Sequence, residues 1–151
     1  MPLFKNLNKY KENIALIFPN NQTVTYTELD REVYSFGKHL KENALLLIVT
    51  KTSFEPIIGY ISSLNTKTTV MFADIKARKK EIDDIISRYN PDFVFAPRDW
   101  FNDQDHLGSN DFFEYHGYKL LTRRINRKHR INSLISVLLP TSGSLGSTKY
   151  V

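Results

Sequence analysis

The 151-residue sequence contains no cysteine, which excludes a disulfide framework and any thiolate-ligated metal. Its four histidines, His39, His106, His116 and His129, are scattered, with no pair at the spacing that sets two imidazoles on one helix face, so no metal held by protein ligands is expected. Long apolar runs are missing too. The longest, Ala44 to Val49, falls far short of the roughly 20 residues that cross a bilayer. The first residues, Met1-Pro2-Leu3-Phe4-Lys5-Asn6, lack the apolar stretch of a secretory signal. A cytoplasmic protein with no membrane partner is the expectation. Internal repeats and low-complexity segments are also lacking.

What is present suits one globular domain: 41% hydrophobic and 25% charged residues exclude general disorder, and a chain of this length buries roughly 70% of its unfolded surface. The net charge is +5, and much of the excess lies in one stretch, where Lys119, Arg123, Arg124, Arg127, Lys128 and Arg130 occur without an intervening acid. Such a stretch can face phosphates. No aromatic or glycine is interleaved as in RNA-binding segments, so it reads as a solvated connector and no nucleic-acid partner is expected.

Periodicity places the elements. After a leading amphipathic segment over Leu3–Lys11, Ala15–Phe18 and Thr23–Tyr26 flank Pro19-Asn20-Asn21-Gln22, a hairpin pattern. A Thr-x-x-acid start at Thr25 or Thr27 opens a helix whose buried face is Leu29, Val33, Phe36 and Leu40. Ala44–Val49 reads as a strand covered on both faces. Ser53 is placed to cap a second helix that carries Pro56 in its first turn and the stripe Ile57, Ile58, Ile61 and Leu64. Thr69–Ala73 is the next strand. A third helix follows with Ile82, Ile85, Ile86 and Tyr89, ended by Asn90-Pro91, and then the strand Asp92–Ala96. Strands alternating with helices predict an α/β fold, a mainly parallel sheet flanked by helices, with a short N-terminal hairpin. Asp99, Asp103 and Asp105 near His106 sit in a polar run and read as a solvated loop rather than a metal or catalytic cluster. Phe112–Leu121 resumes an aromatic-rich strand pattern.

The richest chemistry lies in the last residues. The apolar run Leu134–Leu139 meets Pro140 and opens into Thr141-Ser142-Gly143-Ser144-Leu145-Gly146-Ser147-Thr148-Lys149. Glycines let consecutive N–H groups point into one concavity, hydroxyls add neutral donors, and the lysine supplies a point charge for an oxyanion. The spacing does not fit G-x-x-x-x-G-K-[ST], so a P-loop NTPase is disfavoured. Ser142 and Ser144 have no histidine nearby in sequence, which disfavours a hydrolase.

The string resembles the signature loop of the adenylate-forming superfamily, T-S-G-[ST]-[ST]-G-x-P-K-G-V, shared by acyl-CoA synthetases, peptide-synthetase adenylation domains and luciferases. Thr141, Ser142, Gly143, Ser144, Gly146, Lys149 and Val151 fall on matching positions. Leu145, Thr148 and Tyr150 depart from it, the last adding bulk beside the lysine where glycine is common. Upstream, Thr25-Tyr26-Thr27-Glu28-Leu29 resembles the family's T-Y-x-E-L helix start, and Gly59–Leu64 its G-x-x-A-x-x helix.

The resemblance implies an ATP-dependent ligase that joins a carboxylic acid to AMP, releases pyrophosphate and passes the acyl group to a thiol, coenzyme A or a carrier protein, with Mg²⁺ as companion. Thr141, Ser142, Gly143, Ser144, Gly146 and Lys149 would hold phosphates, and none would be a nucleophile. It also implies that residues 1–151 are a partial N-terminal domain ending just after the loop. The chain alone would then be inactive and would expose apolar surface prone to self-association. The alternative is a non-catalytic phosphate- or nucleotide-binding module that uses the basic stretch 119–130 and loop 141–149.

Overall fold

A computed structural model describes residues 9–103, 111–123, 131–132, 134–141 and 149–151. Most of the expected leading segment Leu3–Lys11 lies outside them. The first strands among the described residues form the antiparallel hairpin of β1 (Ile14–Ile17) and β2 (Thr23–Thr25). Helix α1 (Tyr26–Gly37) starts directly from β2, and of the two candidate caps it uses Thr25. The Glu28 N–H donates to Thr25 Oγ1 at 3.2 Å and the Thr25 N–H to Glu28 Oε2 at 2.8 Å, so two otherwise orphaned donors are satisfied reciprocally. The Thr25 N–H, and secondarily the Thr25 hydroxyl, which also donates to Glu28 Oε2, hold the exposed Glu28 carboxyl below its usual pKa.

Strand β3 (Leu45–Thr50) leads to α2 (Phe54–Thr66), β4 (Thr69–Asp74), α3 (Lys79–Tyr89) and β5 (Phe93–Pro97). Ser53 occupies the cap position of α2 but makes no cap bond. A cap oxygen accepts from the second or third helical N–H, and here the third residue is Pro56, which has none. Asn90 ends α3 in the left-handed conformation, at φ 47°. A 3-10 turn, Arg98–Asp103, follows β5. It includes Asp99; Asp105 and His106 lie outside the described residues. Next come β6 (Phe112–Tyr115), β7 (Tyr118–Thr122), β8 (Val137–Leu138), β9 (Pro140–Thr141) and β10 (Lys149–Tyr150).

Among the described residues six strands form one sheet in the order β6-β7-β5-β3-β4-β8. β3, β4, β5 and β8 run parallel, while β7 pairs antiparallel with β5 and with β6. The fold is therefore α/β with a mainly parallel sheet, as the alternation predicts. Two local expectations change. Phe112–Leu121 is two strands, turned at His116-Gly117 with His116 at φ 50°. The terminal run Leu134–Leu139 contributes only Val137 and Leu138 to the sheet.

The core explains the layers. Along β3, Leu46 and Ile48 join Phe36, Ile58 and Phe95 under α1 and α2. Leu45, Leu47 and Val49 join Ile82, Ile85 and Ile86 under α3. Alternate side chains of a strand point to opposite faces, so one strand serves both cores, and each fully buried aliphatic contributes about 1.5–3 kcal/mol. Gly59 lets α2 sit close: a Cβ there would lie 3.1 Å from Ile48 and from Phe95. Ser62 Oγ ties α2 to the Val33 carbonyl of α1 at 3.0 Å. Among the described residues no helix is long and apolar enough to cross a membrane.

Candidate functional site

The loop begins where the parallel sheet runs out. Residues 135–138 are held to β4 by Thr69 Oγ1 donating to the Ile135 carbonyl at 2.7 Å, the Val70 N–H to the Ser136 carbonyl at 3.0 Å, and the register Val70–Val137, Met71–Leu138. The chain then leaves the sheet and pairs with its own end. Leu139 and Val151 exchange both backbone hydrogen bonds, at 2.8 and 3.0 Å, and Pro140 faces Tyr150 as Thr141 faces Lys149. Hydrogen-bonded and non-bonded pairs alternate in an antiparallel ladder, so Pro140 falls where the hairpin asks for no N–H.

Of the sequence-predicted site residues, Thr141 and Lys149 are brought directly opposite each other. Ser142, Gly143, Ser144 and Gly146 lie outside the described residues. Thr141 Oγ1 donates to the Lys149 carbonyl at 3.2 Å, a side-chain tie across the stem. Lys149 is exposed.

The side chain that fixes the stem was not among the expected site residues. Tyr150 is buried between β4 and α3. Its hydroxyl donates to the Phe72 carbonyl at 2.5 Å, and its backbone N–H donates to the Tyr89 hydroxyl at 2.9 Å. The two rings meet edge to face at 5.3 Å. Burial, and secondarily Tyr89, push the Tyr150 hydroxyl up to about 12, so it remains a donor at neutral pH.

The basic stretch is placed elsewhere as far as it is described. Lys119 lies on β7, 3.5 Å from Glu114 and above the Phe112 ring. Arg123 donates to Asn90 Oδ1 and the Pro91 carbonyl. Three strands, β5, β3 and β4, separate β7 from β8. Arg124, Arg127, Lys128 and Arg130 lie outside the described residues.

A groove of about 570 Å³ lies between the β1–β2 turn, the start of α1 and the start of α2, with Phe18, Phe54, Glu32 and His116 in its wall. Sequence reading did not single it out, because its parts come from four separate segments. Its wall residue Glu32 accepts at Oε2 from the Tyr115 hydroxyl at 2.9 Å; burial, and secondarily that carboxylate, raise the Tyr115 hydroxyl far above its usual pKa. It sits against the α1 and α2 layer, whereas Tyr150 anchors the loop stem on the α3 layer. Among the described residues no group of three His, Asp or Glu side chains can hold a metal.

No family model matches the sequence, and none of the curated proteins does. Solved structures are similar. MatB from Rhodopseudomonas palustris has a TM-score of 0.72 at 16% identity, over 99% of this chain and 34% of that one. The o-succinylbenzoate CoA synthetase MenE from Bacillus subtilis, seen with its acyl-adenylate intermediate OSB-AMP, scores 0.67 at 17% identity, over 100% and 42%. The N-terminal subdomain of Klebsiella oxytoca NpsA, in complex with 3-hydroxyanthranilyl-AMSN, scores 0.67 at 18% identity, over 98% and 38%. The chain thus spans well under half the length of these neighbours. It has the fold of the N-terminal part of the adenylate-forming enzymes.

Proposed function

We propose that this chain belongs to the adenylate-forming enzymes and holds the phosphates of ATP in the segment Thr141–Lys149 while a carboxylate is joined to AMP. The observation that carries this reading is the paired stem: a phosphate-loop sequence returns at Lys149 to face Thr141, directly after a parallel strand of the sheet. Ligands of open α/β sheets bind outside the carboxyl ends of the strands, which is where this stem stands.

The chemistry asked of the site is positioning and charge stabilisation. Two anions, a carboxylate and the α-phosphate, must meet. Loop N–H groups and the Lys149 ammonium would hold the β- and γ-phosphates and stabilise the charge that leaves as pyrophosphate. Mg²⁺ would arrive with the triphosphate as its companion. Transfer of the acyl group to a thiol, coenzyme A or a carrier protein, belongs to the same proposal. So does self-association through the exposed run around Leu134 and Leu139, since large exposed apolar surface seeks a partner.

The test is calorimetric binding of MgATP to the 151-residue chain. Charged hydrogen bonds contribute about 1.5–3 kcal/mol, so Lys149→Ala should weaken binding roughly 10- to 100-fold, while Lys119→Ala and Arg123→Ala leave it unchanged. Equal affinity for wild type and Lys149→Ala would refute the reading. Loss at Lys119 or Arg123 comparable to that at Lys149 would favour the non-catalytic phosphate-binding module. Matching only 34–42% of the MatB and MenE chains, these residues taken alone are expected to bind nucleotide without releasing pyrophosphate.

A further inference from the structure

We propose, resting on the phosphate-cradle reading, that Tyr150 is a positioning residue: it latches the return strand of the loop to the sheet and thereby fixes where Lys149 stands. The argument begins with a missing donor. In the parallel ladder between β4 and β8 the Val70 N–H donates to the Ser136 carbonyl, and successive bonds advance two residues at a time. Continued in that register, the Phe72 carbonyl would require the N–H of residue 140, which is a proline and has none. A carbonyl left without a partner in this part-buried position is costly. The Tyr150 hydroxyl supplies the donor, at 2.5 Å.

A second bond makes this a clamp. Opposite Pro140, the Tyr150 N–H points away from the hairpin partner and donates to Tyr89 on α3. Tyr150 is therefore tied to a strand through its side chain and to a helix through its backbone. Alternation along β10 then decides what Lys149 does. With Tyr150 turned into the core, its neighbours Lys149 and Val151 are turned outward, and both are exposed. The latch thereby fixes the backbone of the exposed Lys149, from which its ammonium would reach a phosphate. The bulky residue beside the lysine is what holds that backbone.

The test uses the 151-residue chain with MgATP as probe, in wild type, Tyr150→Phe, Lys149→Ala and the double variant. Two quantities are read well below the melting temperature: hydrogen exchange of the residue 150 and Val151 amides, and MgATP affinity. Tyr150→Phe keeps the ring and loses only the hydroxyl. It should speed exchange about tenfold and weaken binding about tenfold, yet weaken Lys149→Ala no further, because no ammonium is left to place. Tyr89→Phe should reproduce the pattern at about threefold and serves as the check should Tyr150→Phe fold poorly. Faster exchange with unchanged affinity, or additive losses in the double variant, would reduce Tyr150 to a structural anchor and overturn the proposal; unchanged exchange would show that there is no latch. If Lys149→Ala leaves affinity intact while Tyr150→Phe speeds exchange, the latch exists but the cradle reading has failed, and the positioning role falls with it.

Discussion

Two six-residue stretches, Ala44–Val49 and the largely aliphatic Leu134–Leu139 with Ser136 inside it, meet opposite fates. Ala44–Val49 is buried almost completely, with Leu46, Leu47, Ile48 and Val49 at 0% exposure. In Leu134–Leu139, Leu134 is 87% and Leu139 56% exposed, and only two residues join the sheet. Side-chain chemistry hardly separates them. Their neighbours do: β3 has β4 on one edge and β5 on the other with helices on both faces, whereas among the described residues β8 pairs with β4 alone. An apolar run thus declares a strand, and its place in the strand order decides whether that strand is covered.

The sharpest way to break this contrast is to truncate one residue in each run. Ile48→Ala should cost about 3–4 kcal/mol in urea unfolding, within the range for aliphatic deletions in a closed core, while Leu139→Ala should stay within about 0.5 kcal/mol. Comparable losses at the two sites would mean that the edge run is packed after all. A smaller effect tests what the bare edge does instead. Light scattering of wild type should show mass rising with concentration, and Leu134→Ser with Leu139→Ser should abolish the rise without lowering stability. A wild type monomeric at all concentrations would show that the exposed leucines recruit no second copy.

The same contrast explains what was legible in the sequence. From Ile14 to Pro97 the elements follow from local signals: the Thr25–Glu28 box, the Leu29-Val33-Phe36 face, and Asn90 before Pro91. Each acts within about one turn of chain, so the sequence carries it whole. The β6–β7 hairpin escaped because its turn is His116-Gly117, where a histidine takes a left-handed conformation usually left to glycine or asparagine. At the site, Thr141 and Lys149 stand opposite each other in the stem. Tyr150 read as an intrusion because its partners Tyr89 and Phe72 lie 61 and 78 residues away, and no local period reports such contacts. The groove at Phe18, Phe54 and His116 was invisible for the same reason.

The far edge of the sheet supplies the finest test, because β6 is an edge strand that is partly covered. His39, just past α1, stacks on Phe113 of β6 at 3.6 Å between ring centres. Partial burial, and secondarily Lys38, hold its imidazole below the usual 6.5, so the folded state favours the neutral ring. Between the folded and unfolded pKa values the unfolded chain binds more protons, and stability must therefore rise with pH there. The contribution is complete above about 6.5 and is lost as pH falls from that value through the lower folded one. His39 is exposed on its outer side, which keeps the effect small. The expected result is a modest drop in the urea midpoint between pH 7 and pH 5 that His39→Gln reduces, since glutamine carries no proton in this range. An unchanged slope in that variant would mean that the stacked ring does not sense its cover, and that β6 is as open to water as β8.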